Sequence, residues 1–269
     1  ILTKLLKEDN NLCYLENNYV DSDLQATLLP LSIMGYLFFN SKYTIRNNFI
    51  YPKTKTYFVI SFLGTVTFII GCSSHISTID SIFYRNKVIY YMMYFNFFFY
   101  ACALLIFFVI NIFQRKNNVR IIVRVQSVYN FLRHRQGSRL KFLRYINWIY
   151  LFALILIYIV IFCVHIFYMH DEIKITKIFY LLSLIYFDVN VVYSTKILQL
   201  ISNCFRLWIE EVKENCAPLG TIGFYYKKMF MIYLDILEAF EIFKSVYQVT
   251  VSFIKLYPFG FSRYVIKSC

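Results

Sequence analysis

Asp188 is the residue whose chemistry stands out first, because it is an acid inside a long apolar run, residues 178–195. A charge at the centre of a bilayer costs about 3 kcal/mol on insertion scales. Asp188 therefore needs a proton, a water-filled cavity or a hydrogen-bond partner, and helical spacing places it on one face with Tyr180. Two interpretations stay open. The face lines a cavity for a ligand or an ion, or a hydrogen bond between helices, for example with Asn190, fixes their packing.

Aromatic side chains and one histidine form a second group of candidates. Tyr91, Tyr94 and Phe98 lie in the outer half of the apolar run 88–113, and His165 lies near the outer end of another run. Flat organic ligands bind such rings by stacking and weak hydrogen bonds. Aromatic belts and polar tips at a membrane interface give the same pattern. The candidate ligand-binding residues are thus Tyr91, Tyr94, Phe98, His165, Tyr180 and Asp188.

The sequence contains no motif of an enzyme or a metal site. None of the four histidines forms an H-E-x-x-H pair, and there is no P-loop, dinucleotide fingerprint, G-x-S-x-G or kinase signature. None of the seven cysteines forms a C-x-x-C pair, which favours a role as small apolar filler. We therefore predict no catalytic residue, no bound metal and no cofactor.

The composition is that of a membrane protein. Hydrophobic residues make up 59% and charged residues 16% of the 269, with a mean hydropathy of +0.54, whereas soluble domains carry about 25% charged residues. Seven glycines and four prolines leave room for long helices. These values predict an all-α, multi-pass transmembrane bundle with lipid as a partner. The net charge is +13, and the basic residues that produce it lie in the gaps between the apolar runs. This distribution indicates cytoplasmic loops rather than nucleic-acid binding.

Four runs are long enough to span a bilayer, for which a helix needs about 20 residues. Three of them, 57–79, 88–113 and 145–169, carry no charge, and 178–195 is interrupted only by Asp188. The segment 114–144 holds nine Lys/Arg and no acid, so we predict that it is a cytoplasmic basic loop. Counting outwards from it places 79–87 and 170–177 outside, and 42–56 and everything after about 196 inside.

Two segments leave alternatives open. The charge-free run 24–41 is short and contains Pro30 and Gly35. It either spans or forms a re-entrant or interfacial helix, and the second choice, which we favour, makes 1–56 a cytoplasmic segment. Within 114–144, apolar residues recur at helical spacing. That pattern fits an amphipathic helix on anionic lipid or an extension of the preceding span, with Ile121, Val125, Val128 and Leu132 on its apolar face.

The C-terminal third changes character. We expect 178–195 to continue as a helix beyond the membrane, over 196–216, and a second helix to follow over 224–251. That second helix carries one polar stripe with three acids, too many for a lipid-facing span. We therefore predict anchor-like cytoplasmic helices over 196–251, packed in a bundle or against a neighbouring subunit. Residues 252–269 lose the helical period and are interpreted as a divergent tail.

Long stretches of this sequence resemble insect gustatory receptors, most closely the bitter-type receptors of moths and butterflies. The residues that carry the resemblance are YFDVNVVYSTKILQLISNCFRLWIEEV at 186–212 and KKMFMIYLDILEAFEIFKSVYQ at 227–248. A second patch agrees, with DLQATLLPLSIMGYLFF at 23–39 and SKYTIRNNFIYPKTKTY at 41–57. The similarity covers most of residues 20–251.

The resemblance implies a seven-helix chemoreceptor with a cytoplasmic N-terminus in the plasma membrane of sensory neurons. It implies a homo- or hetero-tetrameric cation channel gated by a small organic tastant, with a bitter compound as the expected ligand. The outer halves of the spans 88–100, 158–168 and 178–188 would face the tastant, and 196–251 would build part of a cytoplasmic anchor between subunits.

The sequence departs from this family at its C-terminal end. The family resemblance implies two further spans, the last with a Thr-Tyr signature followed by a Gln-Phe pair, and nothing here matches them. The expectation is therefore a chain that lacks the pore-lining helix and does not conduct alone. A gene fragment, a truncated isoform, a decaying gene, or a non-conducting modulatory subunit would each fit, and an unrelated polytopic protein such as a small transporter is the alternative from another class.

Overall fold

The chain is mostly helical. A computed structural model describes residues 18–83, 87–132, 137–169, 175–214 and 222–268. In chain order its elements are α1 (Ser22–Leu37), β1 (Tyr43–Arg46), β2 (Phe49–Pro52), α2 (Lys55–Phe83), α3 (Lys87–Phe113), α4 (Arg115–Phe131), α5 (Gly137–Met169), α6 (Ile175–Glu214) and α7 (Ile222–Ser268).

Three helices of the described residues are long and apolar enough to cross a membrane. Their qualifying parts are Lys55–Ser74 of α2, Leu140–Val164 of α5 and Leu184–Glu214 of α6. A fourth candidate is a bent pair, in which Phe97–Phe113 of α3 and the whole of α4 meet at 67°. This architecture is consistent with a multi-pass membrane protein.

Helix α5 has the surface that lipid would cover. Only 11% of its qualifying part is buried inside the protein, and large apolar side chains project from it, such as Phe152, Leu156 and Val160. Water would not tolerate so large a continuous apolar face. The exposure of α5 therefore supports the membrane assignment independently of its composition.

The prediction of a helical bundle is confirmed in outline, but residues 43–52 form a β-hairpin that the sequence analysis did not predict. Its strands pair antiparallel, with Tyr43 opposite Pro52 and Arg46 opposite Phe49. Asn47 and Asn48 form the turn with φ of 52° and 66°, a left-handed conformation that asparagine tolerates better than most residues. Alternation of apolar and polar residues over two four-residue strands is too short a pattern to indicate a hairpin from the sequence.

Helix α1 corresponds to the run 24–41. From the sequence, this run could be either a membrane span or a re-entrant or interfacial helix. It has 16 residues and ends at Leu37, where the chain reverses into the hairpin. Asn147 of α5 donates its Nδ2 to the Thr27 carbonyl at 2.9 Å, which holds α1 against α5. At the reversal, a Cβ on Gly35 would meet the Ser41 Cα at 3.0 Å, so the chain needs glycine there.

We call residues 18–54, which contain α1 and the hairpin, the N-terminal unit.

The basic segment 114–144 is not a loop, because α4 and the start of α5 occupy most of it. Both interpretations of its apolar stripe need revision for the same reason. The stripe residues Ile121, Val125, Val128 and Leu132 are buried in the largest core cluster, together with residues of the hairpin, α6 and α7. Protein rather than lipid therefore covers this face, and the bend at Gln114 prevents α4 from continuing α3 in a straight line.

The C-terminal helices are longer than the sequence pattern indicated. Helix α6 runs unbroken for 40 residues, through the predicted span and its cytoplasmic extension. The backbone of α7 stays helical to Ser268, through the residues 252–269 that the sequence analysis interprets as a divergent tail. Loss of an amphipathic period removes a packing face without removing the intrachain hydrogen bonds of a helix.

Candidate functional site

Asp188 has the partner that its position in an apolar helix requires. The hydroxyl of Tyr158 on α5 donates to the Asp188 Oδ2 on α6 at 2.5 Å, and both side chains are half-buried. Asn190, the partner suggested from the sequence, instead donates its Nδ2 to the Tyr186 carbonyl at 2.9 Å. The contact therefore joins α5 to α6 and helps to fix their register.

The other candidate ligand-binding residues do not gather around Asp188 in the described part of the chain. Tyr91, Tyr94 and Phe98 lie on the outward face of α3 and are 62%, 38% and 68% exposed. His165 and Tyr180 fall within α5 and α6, but their side chains lie outside the described residues. The roles proposed for these five residues stay predictions.

A neighbouring face of α3 carries the rings that do meet α6. Phe187 packs against Tyr100 and Phe107 with ring centroids 5.6 Å apart in each case, and against Phe99 at 6.4 Å. A step of one or two residues along a helix turns a side chain by about 100–200°. Because Phe98 and Phe99 are both aromatic, the sequence could not distinguish the inward face from the outward one. The one sequence feature that could have indicated this cluster is Phe187, an aromatic residue next to Asp188.

A polar junction that the sequence analysis missed lies where the N-terminal unit meets α3 and α6. Lys42 follows α1 and is 7% exposed. Its Nζ donates to the Oδ1 atoms of Asn40 at 3.0 Å, Asn111 at 2.5 Å and Asn190 at 2.9 Å. These three bonds use all the N–H groups of an ammonium ion. We call Lys42 and these asparagines the Lys42 junction.

Electrostatics at the Lys42 junction is governed by burial. No carboxylate among the described residues pairs with Lys42, and burial lowers its pKa to about 7. The Tyr193 ring lies 5.8 Å from Nζ. Asn111 also donates its Nδ2 to the Asn40 Oδ1, whereas the buried Asn40 Nδ2 has no acceptor among the described residues.

The acidic stripe on α7 faces α4. Arg124 pairs with the Asp235 carboxylate at 2.9 Å and with Glu238 at 2.8 Å. Ser127 donates to the second Asp235 oxygen at 2.8 Å, and Tyr247 donates to the Asn118 Oδ1 at 2.9 Å. Two acids of the stripe, Asp235 and Glu238, are therefore paired inside the chain.

A groove of about 490 Å³ lies between α6 and α7. It is lined by apolar side chains apart from one serine and one tyrosine hydroxyl, and its residues are Leu198, Ile201, Ser202, Phe205, Tyr233, Ile236, Leu237 and Phe240. Its α6 residues belong to Leu184–Glu214, the part of α6 that is long and apolar enough to cross a membrane.

Comparisons with family models, with curated proteins and with solved structures give no match to this chain. Its assignment to a function therefore depends on its own residues and their arrangement.

Proposed function

We propose that this chain is the tastant-binding subunit of a gustatory receptor, a ligand-gated cation channel of the plasma membrane of sensory neurons. A small organic compound of the bitter type is the proposed ligand. The output would be acceptance or avoidance of food. The observation that supports this proposal best is the way in which the stretches similar to gustatory receptors come together.

Those stretches are far apart in the chain but pack into one body. The stretch 23–39 forms α1, 41–57 forms the hairpin and the start of α2, and 186–212 and 227–248 lie in α6 and α7. The largest core cluster draws residues from all four, among them Leu28, Ile50, Ile197 and Ile236. A similarity that follows one packed core is the kind that a shared fold produces.

The proposed ligand region is the outer part of the α3–α5–α6 arrangement. It contains the aromatic cluster around Phe187 and the Tyr158–Asp188 hydrogen bond. Stacking surfaces beside one directional polar pair are the usual means of holding a small organic molecule. We propose that a tastant lies against the Phe187 cluster and competes for the Asp188 carboxylate.

The α6–α7 groove is the proposed contact with other subunits of a homo- or hetero-tetramer. Helix α7 carries acids and lysines along its length, among them Asp235, Glu238 and Lys244, which would be costly in lipid. Next to this groove, Phe230 and Met231 are more than half exposed. An exposed apolar groove favours an apolar partner, and another receptor subunit would supply one.

The proposal is tested by co-expressing the chain with a full-length receptor of the same family and recording cation currents during application of bitter compounds. We expect the chain to shift the half-maximal concentration of at least one compound, and Asp188→Asn to change that shift by roughly tenfold through loss of one charged contact. Asp23→Asn is the matched control, because Asp23 lies on α1, where it pairs with Arg144 outside both the proposed ligand region and the proposed subunit contact.

Three outcomes are informative. A current from the chain alone identifies it as a conducting receptor. A shift seen only with the partner identifies it as a modulatory subunit. If the chain reaches the cell surface and changes no response in either setting, the gustatory-receptor proposal is wrong.

A further inference from the structure

A small cavity lies beside the Lys42 junction, between the N-terminal unit and α6. Its volume is about 10 Å³, which is about the smallest volume that holds one water molecule. It is lined by Ser32 of α1, by residues 40–43, which lead from α1 into β1, and by Val189 and Tyr193 of α6. The polar side chains of this lining determine what the cavity can bind.

Three polar atoms of the cavity lining are buried and have no hydrogen-bond partner among the described residues. They are the Ser32 Oγ, the Asn40 Nδ2 and the Tyr43 hydroxyl. Asn40 and Tyr43 are each only 2% exposed, so bulk water does not reach their side chains. Native proteins leave only a few such atoms unpaired in a whole domain, so three at one cavity require a common partner.

Lys42 settles the orientation of the Asn40 amide. The Lys42 Nζ donates to the Asn40 Oδ1 at 3.0 Å, and the Asn111 Nδ2 donates to the same oxygen. Exchanging the oxygen and nitrogen of the amide would place an N–H group against an ammonium ion, which cannot accept a hydrogen bond. The unpaired atom of Asn40 is therefore a donor, and the missing partner has to accept a hydrogen bond from it.

A water molecule meets all three requirements. It accepts two hydrogen bonds and donates two, and a serine or tyrosine hydroxyl can do either, so one water can accept from Asn40 and bond to both hydroxyls. A buried water typically makes about three hydrogen bonds. A metal cation does not fit, because Asn40 presents an N–H group and Lys42 adds a positive charge to the lining. A halide ion could accept from all three groups, but it is larger than a water molecule, and the cavity has room for one water only.

We propose that one buried water molecule occupies this cavity and bridges Ser32, Asn40 and Tyr43. The water connects α1, the chain reversal that follows it and β1, and it thereby helps to hold the hairpin against α1. This inference concerns the packing of the N-terminal unit and does not rest on the proposed receptor function.

The direct test is a high-resolution crystal structure of the full chain, grown from a lipidic phase in which bromide replaces chloride. We expect one peak of electron density within hydrogen-bonding distance of the Ser32 Oγ, the Asn40 Nδ2 and the Tyr43 hydroxyl, without the anomalous signal of bromide. A cavity without density, or a peak with that anomalous signal, overturns the proposal.

Thermal unfolding in lipid nanodiscs gives a second test, in which the sign of the effect is decisive. If the two hydroxyls bind the water, Ser32→Ala and Tyr43→Phe should each lower the unfolding midpoint by about 2–4 °C. Alanine is the better helix former, so a lower midpoint in Ser32→Ala cannot come from helix propensity. If the hydroxyls have no partner, each substitution removes an unpaired buried group, and the midpoint stays the same or rises. That result overturns the proposal.

Tyr51→Phe is the matched control for the tyrosine variant. Tyr51 lies on β2 of the same hairpin, is half-buried and does not line the cavity, so its substitution should change the midpoint little. The crystal structure of the wild-type chain decides the question if either cavity variant does not fold.

Discussion

The hydrogen bond between Tyr158 and Asp188 is the contact on which the proposed ligand region depends. Replacing Tyr158 with Phe removes the donor and leaves the carboxylate half-buried without it. We expect a loss of about 1–3 kcal/mol in the free energy of unfolding, the usual cost of leaving a buried acceptor without its hydrogen bond. Thermal unfolding in nanodiscs measures it.

Tyr145→Phe on the same helix is the control, because the Tyr145 side chain is 65% exposed and its hydroxyl lies towards the surface. If both variants unfold at the wild-type temperature, the Tyr158 hydroxyl does not stabilise the contact between α5 and α6.

Single residues were predictable where the membrane imposes a rule. An acid in an apolar helix must be satisfied, so Asp188 could be singled out from the sequence and its hydrogen bond anticipated, although with a different partner. Lys42 could not, because it lies in a short polar stretch where a lysine is ordinarily solvated. Its burial depends on Asn111 and Asn190, which are 69 and 148 residues away in sequence.

Among the elements, the hairpin depends on a turn in which Asn47 adopts a left-handed conformation. This conformation costs a residue with a Cβ about 1–2 kcal/mol, and β-branched residues more. We expect Asn47→Val to destabilise the protein by roughly that amount and Asn47→Gly to leave its stability unchanged or slightly higher. Thermal unfolding measures the stability of the two variants, and Asn47 is exposed, so neither substitution changes core packing. Equal stabilities would contradict the turn geometry.

Arg124 makes the ion pairs between α4 and α7 in the described part of the chain. Arg124 contacts both Asp235 and Glu238, and all three side chains are partly exposed, so the expected loss in Arg124→Met is about 1 kcal/mol and falls with added salt. Arg120 lies on the exposed side of the same helix. Arg120→Met should change little.

Salt dependence supplies the check on this interaction. A loss in Arg124→Met that is the same in low and high salt would mean that packing of the arginine stem, rather than its charge, connects the helices.

At the scale of elements, long uncharged runs indicated the apolar helices α2 and α5, because the length of a span is set by the bilayer. In α6 the part apolar enough to span, Leu184–Glu214, extends well past the predicted span 178–195. The path of α4 was not predictable. Its apolar stripe fits a lipid surface and a protein surface equally, and only the positions of α7 and the hairpin decide between them. The hairpin itself was missed because four-residue strands carry too little pattern to stand out among helices.

For the whole molecule, the candidate site was less predictable than the fold. The fold follows from hydropathy, which averages over many residues. A pocket depends on the rotation of each helix, and the neighbouring aromatic residues of α3 leave that rotation ambiguous. Thus Phe99, Tyr100 and Phe107 meet α6, while Tyr91 and Phe98 face outward.

The central claim is a helical chain that crosses the membrane several times with its basic side in the cytoplasm. The sequence has no Asn-x-Ser/Thr glycosylation site, so inserted sites report their location without background. We would place a short linker that carries one such site into 79–87, 114–144 or 170–177 and express each variant in cells.

Glycosylation at 79–87 and 170–177 but not at 114–144 is the predicted result. Glycosylation at 114–144, or at none of the three sites in a protein that is inserted and stable, would contradict the account.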